Sequence, residues 1–247
     1  IRVLDELVNL IVLVIVLILG GYGVYTLWDD RQLYQSADME NYETWRPEED
    51  DDLSFRELQA INPEVIGWLT VYGTKIDYPF AQADNNTKYV NTDITGKFAL
   101  AGSLFLDCQN AADFTDLNHV IYGHHMEKKT MLGELECFAE RPFFEEHRYG
   151  RLYYNAQEHG LEFIAFLETD AYDDMIYNVT LTEDEQEKYL SCLREKAMYY
   201  RETELSVKEH FLALSTCDSG RTNGRYVLVG RITEEMYENP FAVKSKK

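Results

Sequence analysis

A mainly β fold, a barrel or sandwich of about eight strands with helices inserted in its connections, is predicted by three features of this 247-residue chain. Short strand-like runs recur from residue 67 to residue 233. Several of them (Leu104-Phe105-Leu106, Ile164-Ala165-Phe166-Leu167, Phe211-Leu212-Ala213-Leu214, Tyr226-Val227-Leu228-Val229) are apolar at most positions, as strands covered on both faces are. Beyond the N-terminus, only Thr182 to Tyr200 reads as a long helix, with Leu190, Leu193 and Ala197 at helical spacing. A hydrophobic content of 45% with 13% aromatics excludes a disordered acidic chain, and 5 prolines with 14 glycines exclude a collagen-like or Pro-rich stalk.

In chain order, Leu7 to Leu27 is apolar with Asn9 as its one strongly polar side chain. As a helix at ~1.5 Å per residue it reaches about 30 Å, enough for a bilayer core. Tyr22, Tyr25 and Trp28 gather at its far end, where amphipathic rings favour the membrane interface. A transmembrane anchor is the expectation; a cleaved signal peptide and a buried core helix are the alternatives. Residues 29–53 are polar and end in the run Glu48-Glu49-Asp50-Asp51-Asp52, which reads as a solvated acidic linker. Ser54-Phe55-Arg56-Glu57 is a capping-box pattern opening a helix through about Ala60, and Asn62-Pro63 reads as a second helix start. Strands follow at 67–72 and 74–79, around Gly73 and closed by Pro79, then at Ser103–Asp107, His119–Tyr122, Arg151–Asn155, Leu161–Glu168, Phe211–Thr216 and Arg225–Thr233. Shorter helices are expected near 84–90 and 131–138.

The formal charge of −21 excludes a nucleic-acid binder, which needs a basic face. Only Arg2, Asp5 and Glu6 are charged before residue 28, so the excess falls on the domain beyond the apolar segment. With one N-terminal span, that domain is expected outside the cell.

Of the four cysteines, none forms a C-x-x-C pair. Two disulfides in any of three connectivities are open to them, although Cys108, Cys137 and Cys192 read most simply as small packed hydrophobes. Cys217 differs. It closes an apolar strand and faces the polar loop Asp218-Ser219-Gly220-Arg221-Thr222-Asn223-Gly224-Arg225, with Arg221, Arg225 and Arg231 nearby to favour a thiolate. A second strand runs through His119-Val120-Ile121-Tyr122 into Gly123-His124-His125-Met126. Adjacent histidines in a turn point different ways, so at most one faces a given site. No zinc-type spacing links them to other ligands, and no metal or cofactor is expected.

The segment Leu214-Ser215-Thr216-Cys217 followed by Arg225-Tyr226-Val227-Leu228-Val229 resembles the sortase signature, a T-x-C strand end and then an Arg heading the next strand. Ile121-Tyr122-Gly123-His124-His125-Met126 resembles the sortase His turn, with the doubled His typical of class B. Asn62-Pro63-Glu64-Val65-Ile66-Gly67-Trp68-Leu69, Lys88-Tyr89-Val90-Asn91 and Gly102-Ser103-Leu104-Phe105-Leu106-Asp107 are similar to that class as well, over roughly residues 55–235.

The resemblance implies an eight-stranded sortase-type β-barrel preceded by an N-terminal transmembrane helix: anchor 1–28, acidic linker 29–53, catalytic domain 54–240 and C-terminal tail 241–247. It implies Cys217 as nucleophile, His124 as general acid/base and Arg225 as oxyanion or substrate clamp, with substrate contacts at Tyr122, Ser215, Asp218 and Asn91. The implied enzyme is a cell-membrane cysteine transpeptidase with its catalytic domain outside. It would cut the sorting signals of secreted proteins after Thr and pass them to a cell-wall precursor amine. A pilin lysine is the alternative acceptor, and a catalytically silent binding module on the same barrel is the alternative of another class.

Overall fold

In the computed structural model, the described residues are 2–48, 52–126, 128–204, 208–218 and 220–242. Residues 49–51 of the acidic run, Ser219 of the Cys217 loop and 243–247 of the tail lie outside them. Among the described residues nine strands form: β1 (Val65–Val71), β2 (Asp77–Ala81), β3 (Leu104–Leu106), β4 (Asn118–Tyr122), β5 (Tyr149–Tyr154), β6 (Gln157–Asp170), β7 (Tyr199–Tyr200), β8 (His210–Cys217) and β9 (Gly224–Thr233). Eight of them close a ring in the order β5-β1-β2-β3-β4-β8-β9-β6, with β6 pairing back onto β5. The barrel reading holds, and the sandwich reading does not.

Closure depends on the 14-residue β6, which pairs with β5 over Gln157–Glu162 and with β9 over Gly160–Asp170. The β5–β6 turn is Asn155-Ala156, both at positive φ (50° and 58°), the primed-turn geometry whose twist matches paired strands. β8 and β9 are buried on both faces. Leu212, Leu214 and Leu228 belong to the large cluster that fills the barrel, while Phe211, Ala213, Val227 and Val229 pack outward. Helix α4 (Gln186–Lys196) covers that outer side with Tyr189, Leu190 and Leu193. This double coverage is why those strands lack polar alternation.

Several local expectations need correction. The long helix begins with a 3₁₀ turn whose capping box joins Thr182 and Glu185, but it ends at Lys196, and Tyr199–Tyr200 become β7 on the edge of β6. Helix α2 (Leu53–Ile61) starts one residue before Ser54, whose hydroxyl donates to the Arg46 carbonyl (3.2 Å) instead of capping. Asn62 starts no helix; its amide donates to Tyr89 Oη and the Ile94 carbonyl, both at 2.8 Å, and β1 follows. Pro79 stands inside β2 opposite Trp68; its missing N–H is tolerated because pairing with β3 begins only at Phe80. The helices near 84–90 and 131–138 are 3₁₀ turns at Lys88–Val90 and Gly133–Ala139, and the short α3 (Arg141–Glu146) follows the second.

Helix α1 (Arg2–Ser36) is longer than the expected anchor. Its window Leu4–Trp28 is long and apolar enough to cross a membrane and buries none of its residues in the protein. The stretch expected as a free linker is docked for part of its length. Ala37 and Tyr42 are buried in the barrel cluster, Tyr78 Oη donates to the Ala37 carbonyl (3.1 Å), and Arg46 pairs with the buried Asp77.

His119 of β4 is fully buried, stacks on Phe114 (4.5 Å between centroids) and shares Nδ1 with the Phe211 carbonyl (3.1 Å). Burial pushes its pKa down to about 4. Below the ordinary value near 6.5, the unfolded chain binds a proton that the folded chain refuses, so stability falls as pH drops through that window. From pH 7 to pH 5 this group is expected to cost about 2 kcal/mol. Urea unfolding at both pH values checks it: His119→Phe should flatten the slope, and an unchanged slope contradicts the assignment.

Candidate active site

The site is built by three neighbouring strands that end at one rim of the barrel. β4 runs parallel to β8 with Tyr122 beside Ser215, and β8 runs antiparallel to β9 with Cys217 beside Arg225. His124 stands just past the end of β4. Cys217, His124 and Arg225 therefore line one cleft of about 350 Å³, together with Tyr122, Ser215 and Asn86. Cys217 is exposed at the strand end, whereas Ser215 and Thr216 before it are buried, so the thiol rests on a fixed backbone.

The turn that carries His124 is held tightly. Gly123 donates its N–H to the Ser215 carbonyl (3.2 Å), and its own carbonyl accepts from the Thr216 hydroxyl (2.8 Å). A Cβ at Gly123 would meet Leu104 Cδ2 at 2.3 Å and Leu132 Cγ at 2.8 Å, so only glycine fits between them. His124 Nε2 lies 2.7 Å from the Val90 carbonyl. A carbonyl only accepts, so Nε2 carries the proton and Nδ1 is the basic nitrogen of the neutral ring. Gly102, at φ +59°, lets the chain pass close to that same carbonyl; a Cβ there would sit 2.6 Å from the Val90 oxygen.

His125 points elsewhere. Its Nε2 is 3.4 Å from Glu136, its ring lies near Tyr226, and it does not line the cleft. His119 is in the interior. The three histidines of this segment thus face three different surroundings.

The arginines also separate. Arg221 is held by Asp218 (2.6 Å) and Glu168 (3.3 Å), and Arg231 by Glu162 (2.6 Å). Arg225 makes no ion pair among the described residues; its guanidinium donates to the Gly224 carbonyl (2.9 Å). Asp218 is buried one residue beyond Cys217. Burial works against its charge, but bonds from Arg221 and the Gly220 N–H outweigh it and hold the carboxyl below its usual range. Asp218 orders the loop and does not line the cleft. Asn91 is absent from the lining as well; its carbonyl accepts from the Ala99 N–H (3.1 Å).

Two polar pairs stiffen the walls. Tyr122 Oη donates to Asp107 Oδ2 (3.0 Å), the oxygen that also accepts from Asn86 Nδ2 (2.8 Å). Ser215 Oγ and Tyr177 Oη lie 2.9 Å apart, and burial pushes the Tyr177 phenol up to about 12, so it stays neutral. Asn86 and Val90 are cleft residues that sequence reasoning missed. Nothing within Asn85-Asn86-Thr87 distinguishes the first Asn from the second, and Val90 acts only through its carbonyl. All four cysteines are free thiols.

No protein-family model matches the chain. A curated sortase B of Listeria monocytogenes is 32% identical over 181 residues, covering 72% of this chain and 73% of that protein. The curated sortase B of Staphylococcus aureus is 27% identical over 92% of this chain and 95% of its own. Among solved structures, the sortase B from the type II pilus of Streptococcus pneumoniae shares 45% identity, with a TM-score of 0.63 over 72% of this chain and 98% of that one. A Streptococcus pyogenes class B sortase involved in pilus biogenesis shares 37%, with a TM-score of 0.67 over 73% and 98%. A barrel of the same build and a likeness of this identity and breadth lead to one conclusion: the chain belongs to the sortase B family.

Proposed function

We propose that the protein is a membrane-anchored cysteine transpeptidase that cuts a sorting signal after its Thr and transfers the acyl group to an amine. The observation that carries this reading is the meeting in one cleft of an exposed thiol with a histidine whose Nδ1 is free and an arginine without an ion pair among the described residues. Cys217 attacks the Thr carbonyl and replaces a stable amide by a thioester. His124, as imidazolium, gives its Nδ1 proton to the departing amine, and as neutral ring takes one from the incoming amine. Arg225 offers guanidinium donors in a fixed fork to the oxyanion or to the signal's backbone carbonyls. Tyr122 and Ser215 shape the wall beside the scissile residue; Asp218 supports it from behind.

The acceptor expected first is a cell-wall precursor amine. A pilin lysine is the second reading, favoured by the higher identity to the two pilus-associated streptococcal enzymes than to the two curated relatives. Offering a lysine-bearing peptide and a wall-type amine in competition for one acyl-enzyme decides between them by product ratio. The exposed apolar helix Leu4–Trp28 supports the anchor, with residues 54–240 as the catalytic domain outside the cell.

Cys217→Ala is expected to abolish both the acyl-enzyme seen by intact mass and the transferred product. A variant that still transferred the peptide would falsify the mechanism. Arg225→Lys keeps the charge but loses the fork, and kcat should fall about a hundredfold to a thousandfold. His124→Ala should remove transfer while His125→Ala retains most of it; equal losses refute the choice of His124. Protease added to intact cells should degrade the barrel, and protection until lysis contradicts the orientation.

A further inference from the structure

The turn that follows His124 holds a second cysteine in an unusual setting. Lys129 Nζ points at Cys137 Sγ from 2.8 Å, closer than nitrogen and sulfur ordinarily come when hydrogen-bonded, because sulfur is the larger atom. The local fold fixes this approach. Lys129 takes a left-handed conformation (φ 60°), its N–H donates to the Met126 carbonyl (2.8 Å), and the 3₁₀ segment Gly133–Ala139 returns Cys137 beneath it. Among the described residues Lys129 makes no ion pair with a carboxylate. The contact with Cys137 is the leading cause that raises the Lys129 pKa, and a cation placed against a thiol favours the thiolate. Both side chains are half-buried, so a small oxidant reaches them from solvent.

We propose that Lys129 and Cys137 form a redox modification site, at which peroxide converts their contact into a covalent sulfur–nitrogen link. In the first step the Cys137 thiolate attacks one oxygen of a hydroperoxide and the O–O bond breaks. The departing hydroxide takes a proton from the Lys129 ammonium, leaving a sulfenic acid, a water and a neutral amine. In the second step the amine attacks the sulfenic sulfur, forming the S–N bond and releasing a second water. Sulfur is oxidised by two electrons and the peroxide is reduced by two. The product joins the turn that carries His124 to the segment whose Glu136 holds His125. Cys192 provides an internal comparison. Lys196, one turn away, bonds that thiol as well, but its ammonium is also tied to Asp173 at 2.6 Å and burial raises the Cys192 thiol, so no link is expected there.

The full-length Cys217→Ala protein, which lacks the exposed competing thiol, is treated with hydrogen peroxide and mapped by peptide mass spectrometry. The expected product is a Lys129–Cys137 cross-linked peptide lighter by two hydrogens than its two parts and released by a thiol reductant. Lys129→Arg in the same background keeps the charge but should lose the linked peptide entirely and leave Cys137 carrying added oxygen. The proposal fails if Cys137 stops at oxygen adducts with Lys129 unlinked. It also fails if the linked peptide retains a peroxide oxygen, or if Cys192 links to Lys196 as readily.

Discussion

The register of β4, β8 and β9 is the constraint on which the site depends. β8 sits between the other two, parallel to β4 and antiparallel to β9, so the end of one and the start of the other meet at the same rim. Cys217 opposite Arg225 is a cross-strand pair, and such neighbours are held about 5 Å apart by the backbone whatever their side chains do. A slip of one residue would turn the thiol to the other face of the sheet. Burial on both faces prevents the slip. Leu212 and Leu214 are locked into the barrel, and Phe211 and Ala213 into the layer under α4.

Electrostatics then selects among groups that topology brings close. In a chain with 44 acidic and 23 basic residues, an arginine without a carboxylate partner is uncommon. Arg221 and Arg231 are both committed to acids. Glu162 is nearly fully buried and is satisfied by Arg148 and Arg231 together, an arrangement that fixes the strand behind the cleft instead of serving chemistry. Arg225 is left to face the cleft, so local positive potential survives beside Cys217. Three of the six histidines divide the same way: His119 buried and neutral, His125 near an acid, and His124 bonded to a carbonyl with its Nδ1 unpartnered among the described residues.

The strands were legible because their apolar runs report burial on both faces, a local property of composition. The Cys, His and Arg of the cleft were legible because each closes or opens such a run. What escaped was set by partners distant in sequence. Tyr199–Tyr200 is a strand only because β6 has a free edge there, and Ser54 forgoes its capping role because the Arg46 carbonyl is within reach. Asp218 is a substrate contact only by resemblance, and nothing local announces that the loop folds its carboxylate onto Arg221. The polar stretch after the anchor read as solvated, since nothing in it announces that Ala37 and Tyr42 fill space beside Tyr78.

β9 is the last strand of the barrel in chain order, yet it occupies the gap between β8 and β6. Its partner β6 lies dozens of residues upstream, so the closing contacts are non-local and their loop entropy is spent before they reward the chain. Until residues beyond 224 are delivered, β8 lacks a neighbour on that side and Cys217 has no arginine beside it. In a polypeptide emerging N-terminus first, the pairing of Cys217 with Arg225 is thus among the last contacts of the barrel to form.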